Sequence, residues 1–418
     1  MLRRIAILVL LLATCRVVTA QSDSILVNGR DTIAYTYTPF NTSNTQNRVA
    51  KRQNKGWERF VRYIIESSED NSFERKVDFT FLPGLYYTNS TSAGLVFIGT
   101  GLYRLDKENK TLPASDFSVY ATASLTGFYR VGVEGNNIFR NDQRRIAYNT
   151  EFYSQPSRFW GLGYREAMQN GYVRYNGSRY YADIRYTERI AKGLYIGVGA
   201  DFDYLYTRKV AKDGGEEYDA TFISRLNGGR SSYYALGILL LLEYDTRDFI
   251  PNPERGLHIS LQGKIRPKGT SNIGRTTFQG RLIADYYQPL WRGAVLALDL
   301  RGEVNSNGTP WSMYATLGGA STMRGYYAGR FSDLCAVTLQ AELRQRIYKR
   351  LGSVVWGGMG NVFAYDNFAW RNTMPSYGIG LRFEIKRRIN LRLDYGFGGK
   401  DGTGKLIHGA IFSVNEAF

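Results

Sequence analysis

Along 377–386, apolar side chains take every second position (Tyr377, Ile379, Leu381, Phe383, Ile385), and Gly378, Gly380, Arg382, Glu384 and Lys386 fill the places between. The same beat runs through 389–397, where Ile389, Leu391, Leu393, Tyr395 and Phe397 oppose Asn390, Arg392, Asp394 and Gly396. It runs again through 336–346, where Val337, Leu339, Ala341 and Leu343 oppose Gln340, Glu342, Arg344 and Arg346. A period of two means strands with two unlike faces. A soluble sheet gives this pattern, and so does a membrane barrel with an apolar wall and a polar lumen. Strands of about 10 residues separated by turns recur from residue 76 onward, the rhythm of a transmembrane barrel. Their centres fall near residues 81, 98, 120, 132, 149, 184, 200, 239, 260, 281, 298, 341, 358, 381, 393 and 412. That makes sixteen, an even number, as a single-chain bacterial barrel requires.

The address favours the barrel. Arg3 and Arg4 precede an apolar run over 5–13, and Val18-Thr19-Ala20 suits cleavage before Gln21, so 1–20 reads as a secretory signal peptide. Leu12-Ala13-Thr14-Cys15 is the poorer match, to a lipoprotein box. Losing 1–20 removes Arg3, Arg4 and Arg16 and no acid, which lowers the formal charge from +17 to +14 and leaves Cys335 as the one thiol. The longest later apolar run, 235–242, is far short of the ~20 residues of a membrane helix. An exported chain without such a helix is soluble or a closed barrel, since lipid tolerates no open sheet edge. The cations alternate with apolar residues along strands, which points to a polar lumen and away from nucleic acid. Glycine (45) and tyrosine (32) are abundant and proline (10) is scarce, as suits curved sheets with interfacial aromatics.

Three segments follow: the signal peptide at 1–20, a periplasmic segment at 21–75 and the barrel at 76–418. Within the second, 41–54 is polar, and Trp57, Phe60, Val61, Ile64 and Ile65 have helical spacing, which predicts a short amphipathic helix over 56–69. It could lie on the inner leaflet, enter the barrel mouth or simply cap it. The connections 154–178, 209–230, 304–333, 364–375 and 398–406 are long; those at 189–192, 246–254, 288–292, 347–351 and 386–389 are short. Long loops outside and short turns inside are expected if the chain starts in the periplasm. The connection 104–114 is a long inner turn and fits less well. The final strand, placed at 407–418, carries Phe412 and ends on Phe418, like the sorting signal of outer-membrane barrels.

The connection between the eleventh and twelfth strands contains Gly318-Gly319…Arg324-Gly325-Tyr326-Tyr327, then Gly329-Arg330-Phe331-Ser332-Asp333. Four glycines and a central arginine suit a loop folded back into a cavity, where a buried guanidinium demands a carboxylate. These residues resemble the Arg-Gly-Phe/Tyr loop of the BamA/TamA superfamily of barrel-assembly and secretion proteins. Tyr244-Asp245-Thr246-Arg247-Asp248 with Pro253 and Gly256-Leu257 resembles its Asp-x-Arg turn, and Gly378–Arg382 and Arg392–Gly396 resemble its penultimate strands. The resemblance is strong over 235–418 and mainly one of rhythm over 76–234. It implies an all-β, 16-stranded antiparallel transmembrane barrel in the bacterial outer membrane, with the loop inside. Arg324 is then paired with inward acids of the last strands, Asp394 and Glu384.

Two departures stand out. Gly358, within Trp356-Gly357-Gly358-Met359-Gly360, occupies the place of an acid in the family's pattern. The 21–75 segment is also too short for one of the family's periplasmic POTRA repeats with its linker. The function implied is insertion or translocation of proteins at the outer membrane, within a larger complex, with strand 77–87 templating an incoming edge by β-augmentation. The expected partners are outer-membrane lipids, lipopolysaccharide, other assembly proteins and client barrels. The alternative is a pore for small anionic solutes or a structural scaffold. Enzymatic chemistry has little to stand on. His258 and His408 fall on strands with no paired serine, and two histidines with one cysteine make no typical zinc site, so neither cofactor nor metal is expected. Trp57, Trp160, Trp291, Trp311, Trp356 and Trp370 fall mostly near strand ends, where interfacial belts account for them.

Overall fold

The computed structural model describes residues 74–418 apart from 89, 107, 109–113, 170, 213–230, 250–251, 387–388 and 415. The expected signal peptide and the expected helix over 56–69 lie outside the described residues. Sixteen antiparallel strands close into a barrel. In chain order they begin with Asp78–Thr88 (β1), Ser92–Tyr103 (β2), Ser115–Ser124 (β3), Tyr129–Ile138 (β4), Arg144–Phe159 (β5) and Val173–Ala191 (β6). Leu194–Lys212 (β7), Ser232–Asp245 (β8), Gly256–Arg266 (β9), Thr277–Pro289 (β10) and Ala294–Asn305 (β11) continue the wall. Two short strands, Ala315–Leu317 (β12) and Phe331–Asp333 (β13), pair with each other inside the long connection that follows. Cys335–Tyr348 (β14), Leu351–Phe363 (β15), Met374–Lys386 (β16), Ile389–Lys400 (β17) and Leu406–Val414 (β18) complete it. Every expected strand centre falls within an observed strand. Each wall strand pairs with its neighbour in sequence, β11 passing to β14, and β1 meets β18 to close the circle.

The alternation sorts the side chains as it should for a wall in hydrocarbon. On β8, Ile238 and Leu240 are 53% and 62% exposed, and on β16 Ile379 reaches 63%, while the charged residues between such positions turn inward. Asp201, Asp203, Asp285, Asp299, Glu342 and Asp394 are all buried. Reversing the faces would put Arg and Lys into lipid at ~2–4 kcal/mol each near the midplane. No helix of the described residues is long and apolar enough to cross a membrane.

The lumen is divided. The β11–β14 connection folds against β14–β17 and forms a core with Trp160, Leu317, Met323, Tyr326, Phe331 and Val362. A short helix, Gly163–Gln169 (α1), in the β5–β6 connection packs its fully buried Ala167 on that core. Toward β6–β11 a cavity of about 770 Å³ remains, lined among others by Arg179, Tyr181, Lys264, Gln279, Arg281 and Arg301.

The chain end departs from expectation. The last strand stops at Val414 and does not run on to Phe418. The Phe418 ring packs against Tyr287, Val295 and Ala297, residues of the inner face, with the Arg344 guanidinium 5.2 Å from its centroid. Arg344 Nη2 also donates to the Phe418 carbonyl (2.8 Å). The tail thus leaves the sheet because a cation and an apolar recess inside the barrel hold it. Phe412 stays on β18, opposite Tyr87 of β1.

Candidate functional site

The β11–β14 connection enters the lumen through a backbone that only glycine can follow at two points. Gly318 has φ +101°, and a Cβ there would stand 2.2 Å from the Tyr327 carbonyl oxygen. Gly325 has φ +105° and lies backbone to backbone against Gly396 of β17, whose carbonyl carbon would be 2.9 Å from an added Cβ. This approach fixes the residues on either side. Ser376 Oγ donates to the Arg324 carbonyl (2.8 Å), while Tyr326 donates its hydroxyl to Pro375 O (2.8 Å) and accepts from the Gly399 N–H (2.6 Å). Gly319, at φ +125°, lies at the start of the same turn.

Arg324, fully buried, is the centre of a charge network. Its Nη1 lies 3.0 Å from Asp394 Oδ2, and its Nη2 contacts Glu342 Oε1. The Trp356 ring lies under the guanidinium, 3.8 Å from its carbon to the ring centroid. Each acid has a second cation: Arg344 Nε is 3.0 Å from Glu342, and Arg382 Nη1 is 2.5 Å from Asp394. Arg382 continues to Glu416 (2.7 Å), which also accepts from Asn390 (2.7 Å). Arg392 donates to the Ala320 carbonyl in the loop (2.9 Å). Around Glu416, burial would raise the carboxyl pKa, but Arg344 and Arg382 outweigh it and hold the value below the ordinary range.

Several sequence-based expectations need correction. Asp394 lies against Arg324, but Glu384 does not; the second acid is Glu342 of β14. The reason is height along the wall. Asp394 stands opposite Gly380, and Glu384 lies four residues farther along β16, opposite Asn390. At about 3.3 Å per residue that is roughly 13 Å from the level of Asp394. Gly358 leaves no acid on that part of β15, and Trp356 on the same strand supplies a ring face in its place. Trp356, Trp160 and Trp311 are buried inside, so the interfacial reading suits only exposed Trp291 and Trp370 among the described tryptophans. Asp333 lies apart from Arg324, with its Oδ1 accepting from Leu334 N–H (2.8 Å). The alternation places Glu342 on the inward face without giving its level along the wall; Trp356, expected in an interfacial belt, is instead the buried ring beneath Arg324.

The Asp-x-Arg turn is a second ionic cluster. Both Asp245 oxygens accept from Arg247 (3.0 and 2.8 Å), and His258 lies between Glu243 and Asp285, 3.1 Å from each. Glu243, Asp245 and His258 bring potential ligand atoms within 4.8 Å of one another. Arg247 and His258 lie among these acids, so the cluster reads as a side-chain brace for the β8–β9 turn.

The closure is thin. β1 pairs with β2 along its whole length, from Asp78↔Leu102 to Thr88↔Ser92. Toward β18, the register among the described residues comes down to Tyr87↔Phe412. The inward loop spans this seam. Arg324 and Tyr326 hold the β16–β17 side, while Ala328 N–H donates to Ser90 Oγ (2.9 Å) and Tyr327 OH to Ser90 O (3.2 Å) in the β1–β2 turn.

With this geometry in hand, the sequence profile of the Omp85 superfamily domain matches residues 122–418. The chain belongs to the Omp85 superfamily. No curated protein matches it. Among solved structures, BamA from Haemophilus ducreyi lacking POTRA domains 1-3 is similar at TM-score 0.55 and 12% identity, over 81% of this chain and 70% of that one. CdiB from Acinetobacter baumannii is similar at TM-score 0.52 and 14% identity, over 82% of this chain and 60% of that one. CdiB from Escherichia coli gives 0.55 and 10%, over 81% and 63%. At these identities the likeness is one of fold, and this chain spans less than two thirds of either CdiB. The Omp85 match takes in the inward loop, its acids and β18, but begins beyond β1 and β2.

Proposed function

We propose that this Omp85 barrel resides in the bacterial outer membrane and aids the insertion or translocation of other proteins, as a subunit of a larger assembly. The observation that carries the reading is the seam. β1 is fully paired on one side and, among the described residues, meets β18 through one register pair on the other. Its outward residues Phe79, Phe81 and Leu85 are 55%, 45% and 58% exposed. An edge that is apolar toward lipid and short of partners can receive another strand by β-augmentation. The Arg324 network stiffens β14–β17, so that movement at the seam falls to β1 and β18. Outer-membrane lipids, lipopolysaccharide, assembly proteins and client barrels are the partners this role requires.

Depletion of the protein followed by quantitative outer-membrane proteomics tests the proposal. Other barrels should fall in abundance; an unchanged barrel proteome would remove the assembly role. The cavity of about 770 Å³ favours a second reading, a solute pore. Single-channel conductance of the isolated barrel that persists in Arg324→Ala would support that reading instead.

A further inference from the structure

Guanidinium groups facing the lumen are generally matched by acids: Arg179 to Asp203 (2.6 Å), Arg185 to Asp183 (2.6 Å), Arg301 to Asp299 (2.7 Å) and Arg344 to Glu342 (3.0 Å). The cluster formed by the β5 end, Tyr172 and the latter part of the inward loop breaks this rule. Arg330 is half-buried, its Nε is sealed from solvent without a hydrogen-bond partner, and no carboxylate among the described residues forms an ion pair with it. Burial lowers its pKa from the ordinary arginine value, and Asp401 and Tyr326 only partly offset this. It stands 5.4 Å from the ring centre of Trp160. Arg158, exposed at the end of β5, stands 4.3 Å over Tyr172 and 5.3 Å over Tyr327. The rings form one platform, Trp160 lying 5.4 Å from Tyr172 and 5.0 Å from Tyr327 between centroids.

We propose that Arg158 and Arg330, on the Trp160–Tyr172–Tyr327 platform, form a binding site for a phosphate-type oxyanion, a phosphomonoester either free or on a lipid headgroup. A guanidinium resting on an aromatic ring engages its face and keeps its in-plane N–H donors for bidentate contact with an oxyanion. Arg158 and Arg330 on the platform, one of them shielded from water, present a charge that a dianion neutralises and a single carboxylate does not; Arg174, 5.7 Å from the Tyr172 ring centre, is a third cation at its edge. A phosphomonoester carries between −1.5 and −2 at neutral pH.

The test uses the full chain in neutral detergent and isothermal titration with two probes. One is inorganic phosphate; the other is detergent micelles doped with bisphosphorylated lipid A, set against the same micelles with its monophosphoryl form. The wild type should bind at least one probe, and R158Q/R330Q should bind it at least tenfold more weakly, with R158K/R330K in between. A preference for the bisphosphorylated lipid identifies a headgroup as the source, whereas binding of inorganic phosphate alone identifies a free ligand. Equal affinity of wild type and the Gln variant, or binding of neither probe, would overturn the site. Heat-modifiable migration on gels verifies folding, and Arg158→Gln alone, at an exposed position, keeps the test decisive if the double variant does not fold.

Discussion

Arg324 touches two acids, but the arithmetic of the network shifts attention to Asp394. Four arginines (Arg324, Arg344, Arg382, Arg392) surround three acids (Glu342, Asp394, Glu416), all connected by contacts within 4.0 Å or by the loop carbonyl that Arg392 engages. Removing the loop arginine leaves each acid with another cation; removing Asp394 leaves Arg324, Arg382 and Arg392 crowded together. Asp394→Asn should therefore destabilise the barrel by ~3–5 kcal/mol, the cost of stranding buried charge, and Arg324→Met by less, roughly 1–3 kcal/mol. Urea titration monitored by heat-modifiable gel mobility gives the order, and a larger effect for Arg324→Met would show that the loop arginine is the indispensable member. The sequence carried half of this site. Alternation tells which face a residue occupies, so Asp394 and Glu342 are recognisably inward, although Trp356 reads as interfacial. It does not tell how far along the barrel axis they stand, because that level is set by turn lengths and stagger summed over several strands. Glu384 shares the inward face of Asp394 but stands at another height.

At the scale of the element, the inward loop acts as a tie between the two sides of the seam. Its Arg324–Tyr326 stretch is locked onto β16–β17 by the Gly325–Gly396 approach, and Tyr327–Ala328 hold the β1–β2 turn through Ser90. The double variant Ser90→Ala with Tyr327→Phe deletes both hydrogen bonds and keeps the Tyr327 ring on Trp160. Loss of two such bonds, about 1–3 kcal/mol together, should speed amide exchange in β1 by about 5- to 150-fold where exchange proceeds by local opening. Exchange in β9 and β10, on the far wall, should not change. Equal protection of β1 in wild type and variant would mean that the loop does not restrain the seam. The strand rhythm made all sixteen wall strands legible, because lipid outside and charge inside enforce a period of two. The β12–β13 ladder and α1 were not legible, since three-residue strands and a seven-residue helix leave too short a trace. Contacts between connections far apart in sequence, such as Tyr327 with Ser90, leave no local trace at all.

For the whole molecule, the two halves of the wall have different work. The loop and its ionic network fill the lumen against β14–β17, and the charged cavity lies toward β6–β11, so rigidity is concentrated beside the thin closure. A β17 held by that network, beside a β18–β1 contact with one register pair among the described residues, would let the wall part at one line while the rest held its shape. If the proposed insertion role depends on that parting, locking the line should abolish it without unfolding the barrel. Tyr87 and Phe412 are the natural positions, since directly opposed residues of antiparallel strands have Cα atoms ~4.5–5.5 Å apart, within the range a disulfide spans. Cys335 is buried, so an engineered Tyr87→Cys/Phe412→Cys pair has no competing exposed thiol among the described residues. In cells depleted of the native protein, the oxidised pair should fail to restore the levels of other barrels, and reductant in the medium should rescue them. Each single cysteine variant should support normal levels throughout. Full complementation by the oxidised pair, with the disulfide verified by mass spectrometry, would show that the barrel acts without opening between β1 and β18.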